Sequence, residues 1–293
     1  MFSSKHLLFT LFLCLLSLIL LVACGNLTLP GQPKPITHVY LIVMENEGYN
    51  EIVGNAKAPF LNSLIPQYGL ATQYNAITHP SQPNYLALFS GNTQGVKDDG
   101  RHDLSAPNLA DQLEAKGKTW RVFAQNYPGN CFKGETASGG PDGEGTYLRK
   151  HNPAVSFANI SGNAARCANI TDFAHFDPGA ANFVMIVPNA CNDMHDCSIA
   201  EGDTFLSTLI PRLVASKAWQ EGSLLFLVWD EGADANSESN QVPLFVLSTG
   251  IPAGFKLNNA YDHYSVLRTI EDLWGLGCLG EACNAKNIVE SFR

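Results

Sequence analysis

His38-Val39-Tyr40-Leu41-Ile42-Val43-Met44-Glu45-Asn46 is an apolar run that stops on two oxygen-bearing side chains. Leu224-Leu225-Phe226-Leu227-Val228-Trp229-Asp230-Glu231-Gly232 repeats the pattern far downstream. Continuous apolar runs of this length, rich in β-branched and aromatic side chains, suit strands buried on both faces of a parallel sheet. In such sheets ligands bind outside the carboxyl ends of the strands. Glu45, Asn46, Asp230 and Glu231 are therefore expected at one place, where a hard cation can sit.

Working outward, strand-like and helix-like segments alternate, the pattern of an α/β sandwich. Strands are expected at 37–44, 70–76, 119–124, 182–187, 224–229 and 242–247. Helices are expected at 58–68, 84–89, 107–116, 204–216 and 264–276. Between Tyr127 and Asn169 the chain turns rich in Gly, Ser, Asn and Pro. That is long for a structureless connection, so a functional loop tied down by Cys131 and Cys167 is expected. Gly139-Gly140-Pro141-Asp142-Gly143 within it lacks the strand-to-helix setting of a phosphate-cradling loop.

The 293 residues carry a net charge of −9, enough chain for one large domain. Nothing basic and continuous could track a nucleic-acid backbone, so no nucleic-acid partner is expected. Lys5 followed by the apolar stretch Leu7 to Val22 reads as a targeting segment. It ends in Leu21-Val22-Ala23-Cys24-Gly25, which resembles the lipobox of bacterial lipoproteins. That resemblance implies a signal peptide over 1–23, lipidation of Cys24, a short linker to 35 and a domain over 36–293. The protein would then be exported and lipid-anchored to a membrane of the bacterial envelope; a plain secretory signal and an uncleaved anchor are the alternatives. Six cysteines follow in the exported part, an even number that suits disulfides. Their spacing suggests Cys191 with Cys197 and Cys278 with Cys283, leaving Cys131 with Cys167. A zinc site from Cys191, His195 and Cys197 is the competing reading.

Thr78-His79-Pro80-Ser81-Gln82-Pro83-Asn84-Tyr85 lies between a strand and a helix. Ser81 would sit where free backbone N–H groups favour an anion. As a helix cap it needs only one hydrogen bond; beside a metal, its hydroxyl becomes a nucleophile. Asp193 and Asp196 read either as groups that orient His195 or as a solvated turn. His79 is a weaker catalytic candidate whose alternative is only to position the turn, and His263 reads equally as a site group or as a packing group at a helix start.

Met44-Glu45-Asn46 with Tyr49, then His79 to Tyr85, resembles the bacterial acid phosphatase and phospholipase C family of phosphoesterases. Lys150-His151-Asn152-Pro153, Asn192-Asp193-Met194-His195-Asp196, Trp229 to Gly232 and Asp262-His263-Tyr264-Ser265 extend the resemblance in order across the chain. The family belongs to the alkaline phosphatase-like superfamily, which implies a three-layer αβα sandwich with a mainly parallel central sheet. By position, the resemblance makes Glu45, Asn46, Ser81, Asp230 and Glu231 metal ligands and Ser81 also the nucleophile. His151, His195 and Asp193 would be phosphate-contacting and proton-transferring groups. Glu47-Gly48 departs from the family pattern, which often has a basic or polar residue and then serine.

The chemistry agrees with the resemblance. Carboxylates and an amide carbonyl suit Mg, Ca or Mn. Such an ion can lower the hydroxyl pKa of Ser81 and neutralise phosphoryl oxygens during in-line transfer. The expected function is metal-dependent hydrolysis of phosphomonoesters, on small molecules or lipids, through a phosphoserine. A phospholipase C-like diesterase and a non-catalytic lipoprotein that binds phosphate or metal are the alternatives.

Overall fold

A computed structural model describes residues 34–292, apart from 141, 142, 144 and 234–238. The expected signal peptide, Cys24 and linker residues 26–33 therefore lie outside the described residues. The unit Pro35–Arg293 is organised by an eight-stranded sheet. In chain order the strands are β1 (His38–Met44), β2 (Gly69–Ala71), β3 (Trp120–Ala124), β4 (Ile170–Asp172), β5 (Phe183–Val187), β6 (Ser223–Trp229), β7 (Leu244–Leu247) and β8 (Lys256–Leu257). Their order across the sheet is β8-β2-β7-β6-β1-β5-β3-β4. Only β7 runs antiparallel to its neighbours, β6 and β2, in this sheet. The sheet is thus mainly parallel, as the apolar runs require.

The two quoted runs are adjacent central strands. Their parallel register pairs His38 with Ser223 and Met44 with Trp229. Successive side chains of a strand point to opposite faces, and Val39 to Met44 and Leu224 to Trp229 are all buried. Both faces of the sheet are therefore covered. Each such apolar side chain contributes roughly 1.5–3 kcal/mol through burial.

Helices α1 (Pro59–Leu64), α2 (Ser81–Ser90), α3 (Leu109–Ala115), α4 (Ile199–Val214) and α5 (His263–Trp274) carry most of the helical packing. Helix α1 packs with α4, and α2 with α5. All ten residues of α2 are buried, so this is a core helix rather than an amphipathic surface one. It ends at Gly91 with φ 68°. A Cβ there would come within 2.1 Å of the Leu279 carbonyl oxygen, so only glycine fits.

The expected elements are present, with shifted ends. The 70–76 strand breaks into Gly69–Ala71 and a two-residue piece at Tyr74–Asn75. The short strands β4 and β8 carried too little apolar pattern to be expected. The 127–169 segment is not structureless. It holds a hairpin of Thr136–Ser138 with Thr146–Leu148, a 3-10 turn at Arg149–His151 and two short helices. Disulfides join Cys131–Cys167, Cys191–Cys197 and Cys278–Cys283. The Cys191–Cys197 bond removes both thiolates that the zinc reading needed.

Candidate active site

The strand register brings the acids together. One residue past the Met44–Trp229 pair, the Asp230 amide donates to the Met44 carbonyl at 3.0 Å. On the other side the Glu45 amide donates to the Asp193 carbonyl at 2.8 Å. Glu45 and Asp230 thus leave neighbouring strand ends together, and the turn after Phe183–Val187 brings Asp193 beside them. Asn46, with φ 54°, turns the chain so that its amide donates to Asp230 Oδ1 at 3.3 Å.

Ser81, the first residue of α2, faces this group. Its hydroxyl lies 3.1 Å from Glu45 Oε2 and 3.3 Å from Glu231 Oε1. Tyr85 is one helical turn further on the same face and donates to Glu45 Oε1 at 2.5 Å. One helix face therefore presents two hydroxyls to the two oxygens of a single carboxylate. His79 Nδ1 lies 2.8 Å from Glu231 Oε2, and Asn84 Nδ2 reaches the same oxygen at 3.5 Å. The amide of Gln82, at the start of α2, donates to Asp99 Oδ1 at 3.0 Å. That helix-start amide is therefore already engaged by a carboxylate, unlike the free anion site expected there.

The turn Arg149–His151 supplies the opposite wall. His151 is buried, with Nδ1 3.0 Å from Asp193 Oδ2 and Nε2 3.2 Å from Glu45 Oε1. Its ring stacks on Tyr85 at 5.2 Å. Lys150 Nζ lies 3.5 Å from Ser81 Oγ, 3.0 Å from Asp99 Oδ2 and 3.2 Å from His195 Nε2. Arg149 donates to the Gly100 carbonyl at 2.5 Å and to that of Asp99 at 3.4 Å. His195 Nδ1 lies 2.6 Å from Asp196 Oδ1, and its amide donates to Asp193 Oδ1 at 2.8 Å. Asp196 on Nδ1 favours the tautomer whose Nε2 lone pair faces Lys150. Asp196 thus orients the His195 ring, whereas Asp193 fixes its backbone and the ring of His151.

Burial, then repulsion from Asp193, holds the Glu45 carboxyl well above its usual range. Burial and the Glu45 charge do the same to Asp230, and burial with Asp230 pushes Glu231 up to about 8. Asp193 is also raised, chiefly by burial. Burial and the neighbouring Lys150 hold His151 well below the usual imidazole value. Burial opposes the charge on Lys150, but Glu45 and Asp99 outweigh it and raise its pKa. Among the described residues, Asp230 Oδ2 is buried without a hydrogen-bond partner. Gathered, desolvated acids are costly unless a cation compensates them.

Residues 55–277 match the model of the phosphoesterase family. The chain belongs to that family. This phosphoesterase is 37% identical over 255 residues to a phosphatidylinositol-3-phosphatase of Mycobacterium tuberculosis, covering 86% of this chain and 82% of that protein. It is 32% identical over 263 residues to a probable acid phosphatase of Kluyveromyces lactis. That match covers 86% of this chain but 61% of the yeast protein, so the chain spans about three fifths of that relative. Among solved structures it resembles a protein in the alkaline phosphatase superfamily from Vibrio parahaemolyticus. The TM-score is 0.56 at 12% identity, over 86% of this chain and 71% of that one. The last likeness concerns the fold, which is of the alkaline phosphatase type. The first two make the chain a phosphoric ester hydrolase of acid phosphatase kind, acting on phosphorylated substrates.

The phosphoesterase brings Glu45, Ser81, Asp230, Glu231, His151, Asp193 and His195 into one cluster. Asn46 reaches it through its backbone amide. Two donor sets could hold a metal, and they share Glu45. One is the oxygen set Glu45, Asp230, Glu231 and Ser81, which suits a hard ion. In the other, Glu45, His151 and His195 bring ligand atoms within 4.8 Å of one another.

His263, left open by sequence, is a buried support. Its Nε2 lies 2.7 Å from the Asp230 carbonyl and its Nδ1 2.7 Å from the Tyr74 hydroxyl. Tyr85, Lys150 and Asp99 carried no role in the sequence reading. The helical spacing from Ser81 to Tyr85 was a usable signal. Lys97-Asp98-Asp99-Gly100 offered none, because it looks like a solvated turn.

Proposed function

We propose that this phosphoesterase is an exported, metal-dependent phosphomonoesterase that turns over through a phosphoserine on Ser81. The observation that carries the reading is the Ser81 hydroxyl bracketed by Glu45 and Glu231. The oxygen set of Glu45, Asp230, Glu231 and Ser81 would hold the divalent ion, with the Asn46 backbone amide donating to Asp230 Oδ1. That ion supplies positive charge that acidifies the Ser81 hydroxyl and offsets charge on phosphoryl oxygens.

Ser81 Oγ attacks phosphorus as the bond to the leaving alcohol breaks, and its proton enters the Glu45–Glu231 pair. His195, its ring oriented by Asp196, passes a proton from solvent to the leaving oxygen. In the second half, His195 takes a proton from attacking water and returns it to solvent. The Ser81–phosphate bond then breaks, and Oγ recovers its proton from the carboxylate pair. His151, held by Asp193 and stacked on Tyr85, fixes Glu45 rather than touching substrate.

Three disulfides suit an oxidising compartment, and the lipobox-like Leu21–Gly25 suits lipid attachment at Cys24 to an envelope membrane. Likeness to a phosphatidylinositol-3-phosphatase makes phosphoinositide headgroups substrates to test. The deciding experiment follows hydrolysis of p-nitrophenyl phosphate and its bis-ester with and without chelator, and traps radiolabelled phosphoprotein in acid. Ser81→Ala should lose both turnover and label while the protein stays folded. A folded Ser81→Ala protein with near-normal turnover refutes the nucleophile. Faster cleavage of the bis-ester refutes the monoesterase.

A further inference from the structure

Lys150 is the cation placed against the reacting hydroxyl. Its ammonium touches Ser81 Oγ at 3.5 Å and His195 Nε2 at 3.2 Å. Among the described residues, the carboxylate within ion-pair distance of it is Asp99, at 3.0 Å. The Glu45 and Glu231 carboxylates contact the same Ser81 hydroxyl but stand beyond that distance from Lys150. Ser81 thus has acids as two of its neighbours and an ammonium as a third.

The counter-ion is itself fixed. Asp99 Oδ1 receives the Gln82 amide and Oδ2 receives Lys150, while Arg149 clamps the carbonyls of Asp99 and Gly100. One carboxylate therefore occupies two donors, a helix-start amide and an ammonium, that are both suited to phosphoryl oxygens. An anionic substrate entering a cluster that already holds Glu45, Asp193, Asp230 and Glu231 needs positive charge beside Ser81. The side chain of Lys150, 17% exposed, is partly desolvated, which strengthens its attraction for an anion.

We propose that Lys150 is a catalytic residue that binds the non-bridging oxygens of the phosphoryl group while Ser81 receives it, with Asp99 as the positioning residue that holds the ammonium there. The proposal rests on Ser81 as the reacting hydroxyl. Lys150 keeps its three protons throughout; the Oγ–P bond forms and the P–O bond to the alcohol breaks with the proton transfers given above. Asp99 competes with phosphate for the ammonium, so it sets a compromise between alignment and affinity.

The test compares the full chain with Lys150→Met, Lys150→Arg and Asp99→Asn. Three quantities are read: the Kd for inorganic phosphate by titration calorimetry, kcat and KM on p-nitrophenyl phosphate, and the melting-temperature rise given by a divalent cation alone. Lys150→Met should weaken phosphate binding at least about tenfold and lower kcat/KM by about 10²–10³-fold, the loss typical of one donor to a developing anion. Its cation-dependent melting rise should persist, and Lys150→Arg should recover most of the phosphate affinity. Asp99→Asn should bind phosphate more tightly yet turn over more slowly, a split that a merely structural pair would not give. A folded Lys150→Met protein that binds phosphate as the parent does overturns the proposal, even if Ser81→Ala is inactive. An active, folded Ser81→Ala protein instead overturns the reading on which it rests.

Discussion

Replacing Asp230 by asparagine should make the chelated protein more stable and the metal-loaded protein relatively less so. Asp230 is fully buried, its Oδ2 has no hydrogen-bond partner among the described residues, and burial with the Glu45 charge lifts its pKa well above 3.8. A carboxyl whose folded pKa is raised is most favourable below its unfolded pKa, and that advantage is lost as pH rises. Protonation caps the cost. At about pH 7.5, some 3.7 units above 3.8, the cap is about 5 kcal/mol at 1.36 kcal/mol per unit.

Asparagine keeps an oxygen for the Asn46 amide but puts an amide nitrogen where Oδ2 stands, an unsatisfied buried donor that costs roughly 1–3 kcal/mol. A net gain of about 2 kcal/mol is expected, or roughly 4–8 °C in melting temperature. Near pH 5 the cap falls below about 2 kcal/mol, so the gain should nearly vanish. Saturating cation should reverse the order, because the parent gains about 2.7 kcal/mol at a hundred times Kd and the variant loses a ligand. Melting curves with chelator and with added Mg, Ca or Mn measure all of this. A variant less stable than the parent after chelation, or an equal cation increment in both, refutes the reasoning.

Other substitutions separate stability from turnover. Tyr85→Phe removes the donor to Glu45 Oε1 and should cost about 2 kcal/mol of stability together with cation affinity, read by melting and by cation titration. Glu271 is buried on α5 and pushed up to about 7, chiefly by burial. Its stabilising share is present below about 4.5 and lost as pH passes 7, so Glu271→Gln should flatten the decline in melting temperature over that window. Breaking Cys131–Cys167, which spans 36 residues, should cost about 4 kcal/mol against about 2 for Cys191–Cys197, which spans 6. The small ring should nonetheless cost more turnover because it carries His195, as paired melting and kinetic measurements would reveal.

The central strands and their acids were legible because burial on both faces leaves an unbroken apolar signature, and a parallel register then sets Glu45 beside Asp230. Ser81 was legible from its place between a strand and a helix. The histidine wall was only half legible. Nothing local in Lys150-His151 says that adjacent side chains diverge, one to Ser81 and the other to a buried slot between Glu45 and Asp193. Asp99 was illegible because its role depends on a fold-back that brings residues 99–100 against Gln82 and Arg149.

The turn Arg149–His151 has a consequence for how this region can vary. Successive residues of a 3-10 helix are rotated by about 120°, and here each of three neighbours meets a different partner: the 99–100 carbonyls, Ser81, and the Glu45–Asp193 slot. Point changes would disable one tooth of this key. A single inserted or deleted residue between Leu148 and Asn152 would turn all three into the wrong wards at once. Length, more than identity, is what this segment cannot give up.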